Sequence, residues 1–283
     1  MTEGRDASGG AEGSYRRFWA GVGERFPDLG GAASTNFYAA NERRLFEDHL
    51  PALNGLRILK TDLWDEAKNT RILAWASERG ARAFGIDISP PTVMRARRAF
   101  APGALSACVS DVRSIPFRDA SFDAVYSMGT IEHFAETEAA IVEMARVLKP
   151  GGRAIIGVPN RHDPFLRPAL AAALQATGLY AYGLEKSYSR RALREMIERA
   201  GLSVVGETAI LFMPGWLRIA DLVCHAWCRP LAVVTGACVW PFVMLDRHVP
   251  AVRKHGYLLA TIATKPEPLT RPGTGSPRST PSG

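Results

Sequence analysis

The sequence predicts an α/β fold, a doubly wound, mostly parallel seven-stranded sheet with a helical insertion before its last strand. Three observations carry this. Short apolar runs alternate with helical patterns over residues 56–159, each helical pattern closes on Gly or Pro-Gly, and an early strand ends in an acid at Gly85-Ile86-Asp87. Strands separated by helices must run parallel, so a ligand is expected at their carboxyl ends.

Residues 1–13, MTEGRDASGGAEG, are small and polar and read as a disordered tail. One domain is expected over 14–264, opening with a helical lid over 14–54. Tyr15, Phe18 and Trp19 share a helical face there, which suits a lid over the sheet or a plain packing helix. A helix over 36–53 ends before Asn54-Gly55, whose turn feeds a first strand over 57–61. A polar loop follows, then a helix with the apolar face Ile72, Leu73, Trp75 and Ala76, a stop at Gly80 and a second strand ending at Asp87. Ser89-Pro90-Pro91 supplies the cap and first-turn proline of the next helix, so Asp87 is not needed as a cap.

That helix, 92–100, carries Arg95, Arg97 and Arg98 and ends at Pro102-Gly103. ALSACVSD gives a third strand finishing at Asp111, and FDAVYSM a fourth. An amphipathic helix over 137–148 stops at Lys149-Pro150-Gly151-Gly152, and RAIIGVP is the fifth strand. The pattern loosens over 160–186, an excursion past a strand end where a substrate wall can be built. SYSRRALREMIERAG is a capped helix, LSVVGETAIL and GYLLATIATK are the last strands, and the proline-rich 265–283 reads as a second disordered tail.

At 283 residues the chain can bury one large core with an insertion, and 47% hydrophobic content excludes global disorder. A net charge of +7 suits an anionic partner and equally a merely solvated surface. Cys108, Cys224, Cys228 and Cys238 lack disulfide-scaffold density and no secretory signal is evident, so a cytoplasmic location is expected. Cys224 and Cys228 lie one helical turn apart, but without CxxC or paired-His spacing they read as buried thiols, and no metal is expected.

Asp87 at the tip of the second strand can accept hydrogen bonds from both hydroxyls of a ribose. GIDIS, then SDVRSIPFRDASFDAVYSMGTIEHF, RVLKPGGRAIIGVPN and YSRRALREMIERAGLSVV, in this order over most of 55–210, resemble the class I S-adenosylmethionine-dependent methyltransferases. The likeness is to the small-molecule branch, methyltransferase type 11 and ubiquinone-biosynthesis-like. It implies a Rossmann-like methyltransferase fold with S-adenosylmethionine as cofactor. Asp87, with Ile88 beside it, would hold the ribose, Asp111 the adenine amino group, the Val112 amide the ring, and Met128 would line the reacting methyl. The first loop departs from the family pattern. Lys60 takes the place of an acid, and Asp62, Trp64 and Glu66 stand where glycines let the cofactor's methionine approach backbone. Thr61, Asp62 and Trp64 are therefore expected at a re-shaped cofactor site. Asp62 or Asp65 would take the ammonium, and Trp64 would cover the adenosine or sulfonium. Alternatively the loop has lost the cofactor, leaving a non-catalytic binding module for a nucleoside, lipid or protein partner.

His133, after Glu132 beyond the fourth strand, is the candidate catalytic base; the competing role of the pair is to cap the next helix. The chain has YSMGTIEHF where base-amine methylases carry an Asn/Asp-Pro-Pro-aromatic run, so no nucleic acid is expected and the acceptor is a small or lipid-like molecule. The insertion, 211–255, has no charge over 230–245, while Arg218, Arg229, Arg247, Arg253 and Lys254 flank it beside Trp216, Trp227 and Trp240. That run is shorter than the roughly 20 residues of a spanning helix and contains Pro241. It fits a helical cap buried on the sheet or an interfacial patch, the latter implying peripheral contact with the inner membrane face.

Overall fold

A computed structural model describes residues 6–50, 52–178, 180 and 182–267. Its seven strands are β1 (Arg57–Lys60), β2 (Arg82–Asp87), β3 (Leu105–Val109), β4 (Phe122–Met128), β5 (Leu148–Pro159), β6 (Ser203–Ile210) and β7 (Leu258–Thr264). They form one sheet in the order β3-β2-β1-β4-β5-β7-β6. The first five strands are mutually parallel, and β7 runs antiparallel between β5 and β6. After β1 the chain builds outward through β2 and β3, then crosses back to lay β4 on the other side of β1. This switch point opens a crevice at the carboxyl ends of β1 and β4.

Each face of the sheet is covered, which is why β1 and β4 are almost continuously buried. One side packs α2 (Ala33–His49) and α4 (Ile72–Ser77) through Phe37, Phe46, Leu73 and Trp75. The other packs α6 (Thr137–Val147) and α8 (Arg190–Arg199) through Ile141, Met144, Leu193 and Ile197. Local chemistry sets the helix starts. The Ser89 hydroxyl accepts from the Thr92 amide at 3.4 Å to begin α5 (Pro90–Arg98), and Ser189 does the same for Ala192 at 3.2 Å in α8.

The predicted architecture is present, with differences at its margins. The expected tail over 1–13 is helical from Asp6, in α1 (Asp6–Arg25). Once Tyr15 and Trp19 anchor that helix, extending it upstream adds a hydrogen bond per residue without a new nucleus. Residues 1–5 lie outside the described residues, as do 268–283 of the second expected tail. That tail's first residue is fixed, because the Lys265 ammonium donates to the carbonyls of Ala145, Arg146 and Leu148 at 2.8, 3.2 and 2.9 Å and closes the end of α6. The stop after α6 is itself strand, since β5 reaches back to Leu148 across a register shift against β4. The first loop, expected to be open and polar, contains a buried helical turn, α3 (Trp64–Lys68). The loose stretch after β5 holds α7 (Arg167–Ala176).

The insertion is a hairpin of α9 (Gly215–Trp227) and α10 (Arg229–His248). α10 packs on α2 through buried Val239 and through Asp246, which takes Arg44 at 2.6 and 3.2 Å. It has 20 residues and carries Pro241 inside it, so the helix outruns the apolar segment that predicted it. One face of the hairpin is the buried cap; the other is bare.

Candidate active site

A cavity of about 250 Å³ lies over the switch point, and Thr61, Asp62, Trp64, Asp87, Ile88, Asp111, Val112, Met128 and His133 all line it. Asp87 and Asp111 thus line the same cavity. Asp87 is buried, with one carboxylate oxygen accepting the Leu63 amide at 2.9 Å and the other the Ser89 amide at 2.8 Å. Burial pushes its carboxyl up to about 7, against the pull of those two amides. Each oxygen keeps a lone pair. At Asp111 burial acts in the same direction, but Arg113 outweighs it and holds the carboxyl below the usual range, donating at 3.0 and 2.7 Å from its guanidinium and at 2.8 Å from its amide. Met128 pairs with Gly157 across β4 and β5, and its thioether lies where a side chain on Gly157 would be, with Sδ 2.0 Å from an added Cβ. A larger residue at 157 would displace Met128 from the cavity wall.

The first loop inverts the family's charge pattern and buries it. Lys60 has no solvent exposure; its ammonium meets the Asp62 carboxylate and carbonyl, each at 3.1 Å, and Asp65 at 3.8 Å. Burial alone would lower this lysine, but Asp62, Asp65, Glu66 and Glu42 outweigh it and hold the charge. The other Asp62 oxygen accepts from the Thr130 hydroxyl at 3.0 Å, so both are engaged. Glu66 reaches the start of α4 and accepts the Leu73 and Ala74 amides at 2.9 and 3.3 Å, its carboxyl raised by burial to about 7. Glu42 takes the Tyr126 hydroxyl at 2.7 Å and is raised by burial to about 8. Trp64, at a family glycine position, stands edge-on to Phe26 and Tyr182 with ring centroids 5.8 and 6.2 Å away. Leu63 lies flat on β2 only because residue 85 is glycine, where an added Cβ would sit 2.4 Å from a Leu63 methyl. That packing delivers the Leu63 amide to Asp87.

Across the cavity, a 3₁₀ turn at Ile131–His133 carries the candidate base. His133 Nδ1 is 2.7 Å from the Leu184 carbonyl, which assigns the proton to Nδ1 and leaves Nε2 with a free lone pair. Burial lowers the imidazole, so it is neutral near pH 7. Trp19 from α1 meets it edge-on at 4.9 Å, which makes the N-terminal helix a wall of the site rather than distant packing. Glu132 is buried 3.8 Å from His133 Nε2, and burial with the nearby Glu185 raises its carboxyl well above the ordinary value. Its Oε2 has no hydrogen-bond partner among the described residues. Beyond it Arg167 pairs with Glu185 at 2.7 Å under the Tyr257 ring, 4.3 Å away. Leu170, Leu174, Ile219 and Leu222 complete an apolar wall.

Sequence reasoning missed Arg167, Glu185, Tyr180, Tyr182, Arg218 and Tyr257, and treated Glu132 only as a neighbour of His133. The loosened pattern over 160–186 marked the region, but no spacing within it marked these side chains.

Residues 67–156 match the methyltransferase domain family. The chain thus carries a methyltransferase domain over that stretch. It is 30% identical over 179 residues to a bifunctional biotin biosynthesis protein of Cellvibrio japonicus, covering 62% of this chain and 33% of that one. It is 40% identical over 85 residues to the chloroplastic tocopherol O-methyltransferase of Arabidopsis thaliana, covering 29% and 24%. With the demethylmenaquinone methyltransferase of Thermus thermophilus it shares 31% over 143 residues, 44% of this chain and 65% of that one. The chain therefore spans a third or less of the first two relatives. Among solved structures, an S-adenosylmethionine-dependent methyltransferase of Mesorhizobium loti superposes with a TM-score of 0.55 at 16% identity, covering 83% and 99%. Phosphoethanolamine N-methyltransferase 2 of Haemonchus contortus, with S-adenosylmethionine bound, superposes with a TM-score of 0.54 at 17% identity, covering 81% and 53%. At such identities these two structures speak for the fold.

The residues present fit the family's cofactor in its adenosine half. Asp87 keeps lone pairs for ribose hydroxyls, Asp111 offers an acceptor to an exocyclic amine, and the Val112 amide has no acceptor among the described residues. The buried Thr61 hydroxyl likewise has no partner among the described residues. The methionine half differs from the family pattern, because Asp62, which meets Lys60 and Thr130 with one partner on each oxygen, stands there instead of glycine.

Proposed function

We propose that this chain transfers a methyl group from S-adenosylmethionine to the hydroxyl of a small amphiphilic, lipid-like acceptor by in-line displacement. The observation that supports this reading is one cavity, with adenosine-type acceptors on one rim, a neutral imidazole opposite and an apolar wall beyond. Two relatives are named for tocopherol and demethylmenaquinone, which favours an acceptor of lipid character.

The bound cofactor supplies an electrophilic methyl on sulfur. Asp87 would hold the ribose, Asp111 and the Val112 amide the adenine edge, and Thr61 and Trp64 the methionine side. The acceptor's apolar portion lies along Leu170, Leu174, Ile219 and Leu222, placing its hydroxyl before His133. As the oxygen takes the methyl, its proton passes to Nε2, and the resulting imidazolium is held by the Leu184 carbonyl. Trp19 and Trp64 screen the reacting atoms from water.

Turnover with labelled methyl donor and hydroxylated amphiphiles tests this. His133→Ala should lower kcat by about a hundredfold while leaving cofactor affinity unchanged. Unchanged turnover would return His133 to a structural role. Intact cofactor binding without methyl incorporation into any hydroxylated acceptor would favour the non-catalytic module.

A further inference from the structure

The bare face of the α9–α10 hairpin is the largest feature that methyl transfer leaves unexplained. Along α9 the side chains of Trp216, Ile219, Val223 and Trp227 form one exposed stripe, with Trp227 at 70% exposure. α10 continues it with Leu231, Val233, Val234 and Trp240, the last at 61%. Three of the chain's six tryptophans are here, and all three are exposed, whereas Trp75 is buried and Trp19 and Trp64 are half-buried. Only 11% of the apolar stretch of α10 is buried, so it is no core helix.

Within the insertion the exposed charge has one sign. Residues 211–255 contain two acids, Asp221 and Asp246, and both are buried and engaged. Asp221 accepts the Ser34 amide at 2.8 Å and the Thr235 hydroxyl at 3.0 Å, and Asp246 takes Arg44. Arg229, Arg247 and Lys254 are exposed, leaving the margin of the apolar face purely cationic. Apolar side chains bounded by tryptophan and arginine match the headgroup boundary of a bilayer, where indole and guanidinium sit at the polar edge of the acyl region. A spanning pose is excluded by the other face of α10, since Val239 and the Asp246–Arg44 pair tie it to α2.

We infer that the α9–α10 hairpin docks this protein in the plane of an anionic lipid bilayer surface. Ile219 of that stripe and its neighbour Leu222 also line the cavity, so along α9 the docked face adjoins the acceptor wall. A lipid-soluble molecule would then leave the bilayer beside the cavity instead of crossing water. Docking itself does not depend on the methyl-transfer reading, and its test needs no turnover.

The test is sedimentation of the full chain with vesicles of phosphatidylcholine alone and mixed with phosphatidylglycerol, at low salt and at about 0.5 M salt. Pelleting with the anionic vesicles, reduced by salt, is expected. The paired change Trp227→Asp and Trp240→Asp should weaken it at least about tenfold with the melting temperature unchanged, both positions being exposed. Should that variant fold poorly, Arg229→Glu with Arg247→Glu keeps the apolar face and should cost about fivefold per residue on anionic vesicles only. Absence of pelleting at low salt, or pelleting indifferent to both variants, overturns the inference. A concentration-dependent dimer that Trp227→Asp dissociates, without vesicle binding, overturns it in favour of a second copy of the chain.

Discussion

The two halves of the cavity rim are built on opposite principles. At the ends of β2 and β3, Asp87 and Asp111 retain capacity for a ligand, and their charges are tuned separately, one carboxyl raised by burial and the other held down by Arg113. At the end of β1, charge is gathered within the protein, with Lys60 paired to Asp62 and Asp65 and held also by the nearby Glu66 and Glu42. The difference teaches that rigid backbone at a cofactor site can be had in two ways. Glycines let backbone approach the ligand but leave it loose; buried ion pairs fix the backbone and fill the space with side chains. Here the loop has taken the second course, and Leu63, seated on Gly85, passes its placement to Asp87 through one amide.

Breaking the loop should cost more than any other single change. Lys60→Met leaves the buried Glu42, Asp65 and Glu66 and the partly exposed Asp62 without their cation, which is expected to destabilise by about 3–5 kcal/mol and to lower the melting temperature by roughly 10 °C. A melting temperature within a degree or two of the parent would mean that the pairing is incidental. A smaller effect sharpens the contrast through pH. Asp87, Glu66 and Glu42 are raised to about 7, 7 and 8, so between their ordinary values and these the fold holds protons that the unfolded chain releases. Stability should therefore fall as pH rises from about 5 to about 8 and level beyond. Lys60, raised in the fold, gives up its contribution only at strongly alkaline pH, outside that window. Glu42→Gln should flatten the slope of melting temperature against pH; an unchanged slope would assign the titration elsewhere.

The sheet was legible because strand ends, caps and glycine stops are local signals; Asp87 stood out at a strand end, while Asp111 and Val112 were marked by the resemblance to the methyltransferases. The first loop was legible as a departure but not as a structure. LKTDLWDEAKN looks like solvated charge, and nothing in its spacing says that Lys60 and Glu66 will be fully buried or that Glu42, on α2, will join them. Burial of mixed charge is a tertiary outcome, set by which acids the sheet brings within reach of one ammonium. The same holds for Arg167 and Glu185, which meet only because α7 folds back over the cavity. In the insertion, the sequence left a buried cap and an interfacial patch as rivals. α10 buries Val239 and Asp246 while exposing Trp240, so the cap accounts for one side of the helix and the other side is bare.

The central claim is that the adenosine rim still binds while the loop has changed. Calorimetric titration of S-adenosylhomocysteine at pH 8, where Asp87 is ionised, tests it most directly. Saturable one-site binding is expected, weakened about a hundredfold by Asp87→Ala through loss of two charge-assisted hydrogen bonds of about 1.5 kcal/mol each. Folded protein that shows no saturable heat, or an Asp87→Ala variant that binds as the parent does, would contradict it.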